Sequence, residues 1–355
     1  MTTRPILITG GAGFIGSNLA DRLAGEGREV IVLDALSRPG VETNLAWLQA
    51  RHGKRIRPLI ADVRDGAVLD EAVRDADAVF HLAAQVAVTT SLAEPGADFE
   101  INLRGTLNVL EAVRRRSAPV PVIFASTNKV YGDLADVELE LADEAYRPVD
   151  PDLRARGVDE RRPLDFHTPY GCSKGAADQY VLDYARSYGV PACVLRMSCI
   201  YGPRQMGTED QGWVAHFLIR ALEGTPLTIY GDGRQVRDIL HVADAVEAYV
   251  QALARIEAVS GRAFNLGGGP QNAVSLRQVV AHIESLIARR AQLVYGPWRA
   301  GDQRYYVSDI AAARAALGLA APRPWRDGVA HLAEWLQGEA AARASAERPR
   351  VGALS

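Results

Sequence analysis

Three glycines spaced three apart, Gly10, Gly13 and Gly16, directly follow the apolar run Ile6-Leu7-Ile8-Thr9. They open a segment from Gly13 to Ala24 in which Ile15, Leu19 and Leu23 recur at i, i+4 and i+8, a helical period. A strand, a glycine turn and a helix in immediate succession leave few folds open. Gly10 permits the tight turn, and Gly13 lets the backbone approach a pyrophosphate. Gly16 lets the helix pack close to the strand, while the helix N-terminus, starting at Phe14 and Ile15, faces the anion. Asp34 closes the next apolar run, Val30 to Leu33. A carboxylate there accepts hydrogen bonds from ribose hydroxyls and repels a 2′-phosphate, which selects NAD over NADP. The plainer reading, a turn followed by a capping aspartate, leaves the strand–turn–helix context unexplained.

Further apolar runs, Ile56 to Ile60, Ala78 to Leu82, Val122 to Ala125 and Cys193 to Leu195, show no strict alternation. Strands of that kind are covered on both faces, as in parallel sheets with crossover helices. The expected fold is a doubly wound α/β sheet of Rossmann type with a smaller C-terminal substrate lobe. Ligands of such sheets bind at the carboxyl ends of strands. That adds Asp62, Val63, Leu82, Ala83, Ala84 and Gln85 to the cofactor contacts, while His81 reads as structural. Residues 1–200 read as the NAD-binding domain. From 201 the strands become sparse, and 201–337 read mainly as the second lobe. The stretch 132–168 is too long for a simple connection and reads as a lid. Residues 338–355 lack a core pattern and read as a frayed, disordered tail.

The charge balance, 40 Lys plus Arg against 43 Asp plus Glu, gives a net charge of −3 and no electrostatic footprint for nucleic acid. The three cysteines form no CxxC pair, so neither a metal site nor a disulfide framework is expected. No run approaches the roughly 18 apolar residues of a membrane helix, and a cytoplasmic protein is the expectation.

Tyr170 and Lys174 stand at i and i+4, on one helix face. A free tyrosine titrates near 10, and a nearby ammonium favours its phenolate. A tyrosine lowered in this way takes the proton of a sugar hydroxyl as the carbon gives up hydride. Lys174 is also placed to hydrogen-bond the nicotinamide ribose. A hydroxyl at the end of the fifth strand would hold the reacting oxygen. Thr127 is the choice, because strand alternation turns Ser126 away. Cys172 lies inside the motif but beside neither group, and reads as a packed thiol.

The glycine triplet, Asp34, Ser126-Thr127 with Val130-Tyr131-Gly132, and Tyr170-x-x-x-Lys174 together resemble the extended short-chain dehydrogenase/reductase superfamily. The resemblance spans residues 4 to 337. The superfamily's nucleotide-sugar 4,6-dehydratases place Asp-Glu directly after the threonine, and this chain has Asn128-Lys129. An asparagine cannot protonate a leaving hydroxide and a lysine cannot replace the glutamate, so dehydration is not expected. The stretches 81–91, 126–134, 164–180, Asp210-Gln-Gly-Trp213 and 231–238 are similar to the CDP-paratose (CDP-tyvelose) 2-epimerase family.

That resemblance implies NAD in each subunit and inversion at C2 of a CDP-linked 3,6-dideoxyhexose. It also implies a homodimer built on the helices after Asp98 and at Tyr170. Arg237 matches the superfamily arginine that holds the diphosphate, and Arg299 matches the second. Thr89, Thr90, Asn128, His167, Ser198 and Trp213 are sugar-side or base-side candidates. His167 is open to two readings, a second acid/base or a loop anchor, and Asn102 reads as an orienting group. Two alternatives stay open: a C4- or C2-epimerase of another nucleotide-hexose, and a non-catalytic NAD-binding sensor.

Overall fold

Apolar runs become strands here because helices cover both of their faces, except in the run Ile56 to Ile60, which forms the sheet edge and leaves Ile60 exposed. The computed structural model of the chain describes residues 4–299 and 301–347. In chain order the strands are β1 (Ile6–Thr9), β2 (Val30–Asp34), β3 (Ile56–Ile60), β4 (Ala78–His81) and β5 (Val122–Thr127). A hairpin follows, β6 (Leu139–Ala142) and β7 (Ala145–Pro148), then β8 (Ala192–Met197), β9 (Cys199–Tyr201), β10 (Leu227–Tyr230) and β11 (Val236–His241). The last are β12 (Arg262–Leu266), β13 (Ala273–Ser275), β14 (Leu293–Gly296) and β15 (Tyr305–Tyr306).

Among the described residues, seven strands pair in parallel in the order β12-β8-β5-β4-β1-β2-β3. The strand order reverses at β1, which lies between β2 and β4. A crevice opens at such a switch point. The doubly wound α/β class is therefore observed. β11 carries a second, smaller sheet, with β13 and β15 beside its first half and β9 beside its second.

Three features depart from the sequence reading. The chain does not stay in the second lobe after residue 201. β12 returns to the main sheet, where Arg262 pairs with Cys193 and Leu266 with Met197. The helix Val242–Ala254 packs in the same core as Ile6 and Ile8. Local periodicity cannot reveal a strand pairing across so long a loop.

The stretch 132–168 is a brace rather than a lid. Val158 N donates to Val307 O at 2.7 Å, and Asn265 N donates to Glu160 Oε1 at 2.7 Å. Leu134 and Val158 share a small core with Val130, Tyr131 and Tyr306. None of its residues lines the large cavity described below. Gly157, at φ +88°, passes where a Cβ would fall 2.5 Å from the Val307 carbonyl oxygen.

The chain end is also corrected: the helix Trp325–Glu347 continues through residues 338–347. Alanine, glutamate and arginine are strong helix formers, so a segment without a core pattern still propagates a helix already anchored by Trp325, Val329 and Leu332. Residues 348–355 of the expected tail lie outside the described residues.

Candidate active site

A cavity of about 840 Å³ opens at the carboxyl ends of the strands, between the two lobes. Its lining includes Gly10, Gly13, Phe14, Ile15, Gly16, Asp34, Asp62, Val63 and Leu82 to Gln85. Gly10 sits at φ +68°, and a Cβ there would stand 2.7 Å from Ala83 N. A Cβ on Gly16 would fall on the Gly10 carbonyl oxygen. On Gly13 it would meet that oxygen at 3.1 Å and otherwise face open space. The helix Phe14–Gly25 starts there with no side-chain cap, so its first amides point into the cavity side unclaimed by a side chain. Asp34 Oδ2 accepts from Ala12 N at 3.0 Å and Oδ1 from Leu36 N at 2.9 Å. Each oxygen keeps a second lone pair for a hydroxyl donor. A bare helix N-terminus, a cradle that a side chain would fill and a carboxylate at the strand end fit a dinucleotide with a free ribose diol.

The second group of predicted residues converges at the end of β5. Tyr170 is buried, with its phenol facing the Thr127 hydroxyl. Burial pushes the phenol up to about 12, Thr127 opposes this, and the Asp98 carboxylate adds to it. Lys174 donates to the Ala125 carbonyl oxygen at 2.6 Å, and burial brings its ammonium down to about 7 against the pull of Asp178 and Asp98. The expectation that Lys174 lowers Tyr170 is thus not met by these two side chains alone. The same burial that brings them together disfavours both charges.

Lys174 is also absent from the cavity lining, being covered by the strand end to which it bonds. Ser126 points away as alternation requires, donating to Asp178 Oδ2 at 2.7 Å, and Asp178 is paired with Arg196 at 2.9 Å. His81 bridges Thr9 and Thr106 at 2.7 and 3.0 Å, and burial lowers it to about 3. It is a neutral structural residue. Asn102 lies in a π-helical turn, Glu100–Arg104, and binds Gln85 N, Asp98 and Ser173. It therefore orients the loop after β4 rather than facing the reaction.

Thr89, Thr90, Asn128, Ser198, Trp213, Arg237 and Arg299 all line the cavity. Ser198 Oγ donates to Asp238, and Trp213 Nε1 donates to Cys199 Sγ at 3.3 Å. Arg237 is paired with Asp302 at 2.6 Å. Arg299 lies 3.8 Å above the Tyr230 ring and donates to the Glu209 carbonyl at 3.0 Å.

Two predicted placements are corrected. His167 does not line the cavity. Its ring lies 3.2 Å from Asp165 and 3.7 Å from Asp133, half exposed, because two carboxylates draw it outward where the chain turns into the helix Thr168–Tyr188. The ligating atoms of these three residues lie within 4.8 Å of one another. Cys172 is exposed rather than packed, with its thiol directed at the Phe166 carbonyl.

Lys129, Cys199, Glu209, Asp302 and Gln303 were missed as functional candidates. Lys129 donates to the Gly301 carbonyl at 2.9 Å, and burial followed by the Arg237 charge lowers it to about 8. Segment 301–303 carried no periodicity to mark it, and only its neighbour Arg299 drew notice.

The NAD dependent epimerase/dehydratase family model matches residues 6–267. A CDP-paratose 2-epimerase of Salmonella typhi is 47% identical over 281 residues, which is 77% of this chain and 82% of that protein. The fold is similar to the crystal structure of UDP-glucose 4-epimerase with UDP-glucose from Thermotoga maritima, with TM-score 0.81 and 30% identity over 95% of this chain and 99% of that one. It is similar also to the Thermus thermophilus UDP-glucose 4-epimerase in complex with NAD, with TM-score 0.79 and 31% identity over 94% and 99%.

Proposed function

Because this chain belongs to the NAD dependent epimerase/dehydratase family, and is thus an NAD-dependent enzyme of the nucleotide-sugar kind, we propose that it inverts C2 of CDP-paratose or CDP-tyvelose through a transient 2-keto sugar. The observation that carries this reading is the pair after Thr127. Where elimination of water needs an acid and a base, the chain has Asn128 and Lys129, whose side chains are tied to Gln303 and Gly301. Neither can supply a carboxyl proton to a leaving hydroxide, so oxidation is left without dehydration.

NAD, when bound, supplies the acceptor for the C2 hydride and its return. Gly10, Gly13, Gly16, Phe14 and Ile15 would hold its pyrophosphate, and Asp34 its adenosine ribose. Tyr170 takes the C2 hydroxyl proton, and Thr127 hydrogen-bonds the same oxygen. Lys174 keeps two further N–H donors beside its bond to Ala125, and these would serve the nicotinamide ribose. Arg237 and Arg299 grip the diphosphate, their forks suiting phosphate oxygens. Thr90, Asn128, Ser198 and Trp213 enclose the sugar side. Affinity resides in the diphosphate because the keto sugar must turn its other face before reduction. A homodimer through the helical stretch after Asp98, which runs through Glu100–Arg104 into Gly105–Arg114, and the helix Thr168–Tyr188 is part of this reading, supported by the exposed Phe99, Tyr180 and Tyr188.

The test is proton NMR of the purified protein with CDP-paratose in D₂O, with no cofactor added. Inversion without deuterium at C2 is expected. Deuterium at C2 would mean proton abstraction from carbon and would overturn the mechanism. No reaction, with NAD recovered from the denatured protein, would reject the substrate and direct the assay to UDP- and GDP-hexoses.

A further inference from the structure

Gln303 is fully buried and does not line the cavity, yet it ends a hydrogen-bonded row that reaches Thr127, beside the phenol of Tyr170. Its Nε2 donates to the Gly132 carbonyl oxygen. A carbonyl only accepts, so this contact fixes which end of the Gln303 amide is nitrogen. Its Oε1 must then face Asn128, whose Nδ2 donates to it at 3.0 Å. That in turn fixes the Asn128 amide, leaving its Oδ1 3.4 Å from Thr127 Oγ1. Thr127 Oγ1 already accepts from Lys129 N at 3.2 Å. Its one hydrogen therefore has two places to go, Asn128 Oδ1 or the Tyr170 oxygen that faces it.

We propose that Gln303 is a positioning residue that holds the Asn128 amide with its oxygen toward Thr127, so that the Thr127 hydrogen can alternate between Asn128 and Tyr170. The role rests on the reading of Tyr170 as the base. When the phenol carries its proton, the threonine hydrogen rests on Asn128. When Tyr170 is a phenolate, the hydrogen turns to it and stabilises it. A reversed Asn128 amide would present N–H to Thr127 Oγ1 and take its second lone pair, and the threonine hydrogen would lose its second seat. No bond other than hydrogen bonds is made or broken. The neighbours of Gln303 act on the same cavity wall: Gly301 receives Lys129, and Asp302 receives Arg237. One short segment thus grips groups from both lobes.

The experiment compares the NAD-loaded wild type with Gln303→Leu and Gln303→Glu, using CDP-paratose turnover across pH and ¹⁵N NMR of the Asn128 side-chain amide, assigned with Asn128→Ser. Gln303→Leu should lower kcat on the order of tenfold to a hundredfold with KM little changed, since it displaces a reacting group without touching substrate contacts. In Gln303→Glu, a protonated carboxyl donates to Gly132 and accepts from Asn128 as the glutamine amide does; an ionised carboxylate cannot. This variant should therefore keep near-normal kcat at low pH and lose it with a new ionisation as pH rises, which a simple packing role would not produce. The Asn128 amide hydrogens should exchange slowly in wild type and quickly in Gln303→Leu.

If Gln303→Leu does not fold, the Gln303→Glu profile decides. An unaltered pH profile in that variant, or equal amide exchange in wild type and Gln303→Leu, overturns the proposal. A wild type inactive on CDP-paratose rejects the substrate reading, and the amide exchange still decides the positioning.

Discussion

Lys174 donates its ammonium to the carbonyl oxygen of Ala125 at 2.6 Å, one turn along the helix from Tyr170. The lysine is thereby anchored to the strand that presents Thr127, in a site where burial lowers it from 10.5 to about 7. The unfolded chain holds that proton up to about 10.5, while the folded protein releases it near 7. Between these values the unfolded state binds more protons, so this group makes stability rise with pH. The stability of the wild type minus that of Lys174→Met, measured by urea unfolding, should increase from pH 7 toward 10. A flat difference would refute the lowered lysine.

Tyr170→Phe removes the proton acceptor but leaves the dinucleotide loop intact. Turnover should fall by about 10² to 10⁴, while NAD recovered from the denatured protein stays at the wild-type amount. Chromatography of the extract, beside the NMR assay, checks both. Retained turnover would move the base elsewhere in the cavity.

The glycine loop separates folding from binding. Gly16→Ala would drive a methyl group into the Gly10 carbonyl, a backbone atom that cannot yield cheaply. A loss of about 1–3 kcal/mol in stability is expected. Gly13→Ala meets only the Gly10 carbonyl oxygen, at 3.1 Å, and should lose less stability than Gly16→Ala while weakening NAD retention, because its methyl group enters the pyrophosphate path. Calorimetry and cofactor content of the two variants distinguish these effects.

Asp34→Asn exchanges one of two acceptor oxygens for a donor, setting an N–H against Ala12 N or Leu36 N. It also removes the charge that repels a 2′-phosphate. The Kd for NAD should rise about tenfold, equivalent to roughly 1.4 kcal/mol, and the preference over NADP should narrow. Equilibrium titration with both dinucleotides tests this.

Arg237→Ala and Arg299→Ala should each raise KM for the nucleotide sugar by about tenfold to a hundredfold, the worth of a charge-assisted hydrogen bond, with a smaller change in kcat. Steady-state kinetics read the split. A fall confined to kcat would remove these arginines from the diphosphate.

That the glycine loop and Asp34 stand at strand ends, that Tyr170 and Lys174 share a helix face and that Ser126 and Thr127 point to opposite sides was legible in the chain, because each placement depends on neighbours a few residues apart. The helical period places i and i+4 on one face, and strand alternation separates adjacent hydroxyls, whatever the rest of the molecule does. The same locality explains the errors. Beside its sequence neighbour Asp165, His167 has a second carboxylate, Asp133, on a segment that comes beside it only after folding, and Cys172 is covered or exposed according to what packs on its helix. Pairing of β12 with β8, the docking of 132–168 on Val307 and the grip of Gln303 on Asn128 join residues far apart in sequence. Long-range pairing leaves no period for a sequence to display. The charge states of Tyr170 and Lys174 belong to the same class: residue type supplies the groups, but burial, which only the tertiary structure sets, decides which of them can hold a charge.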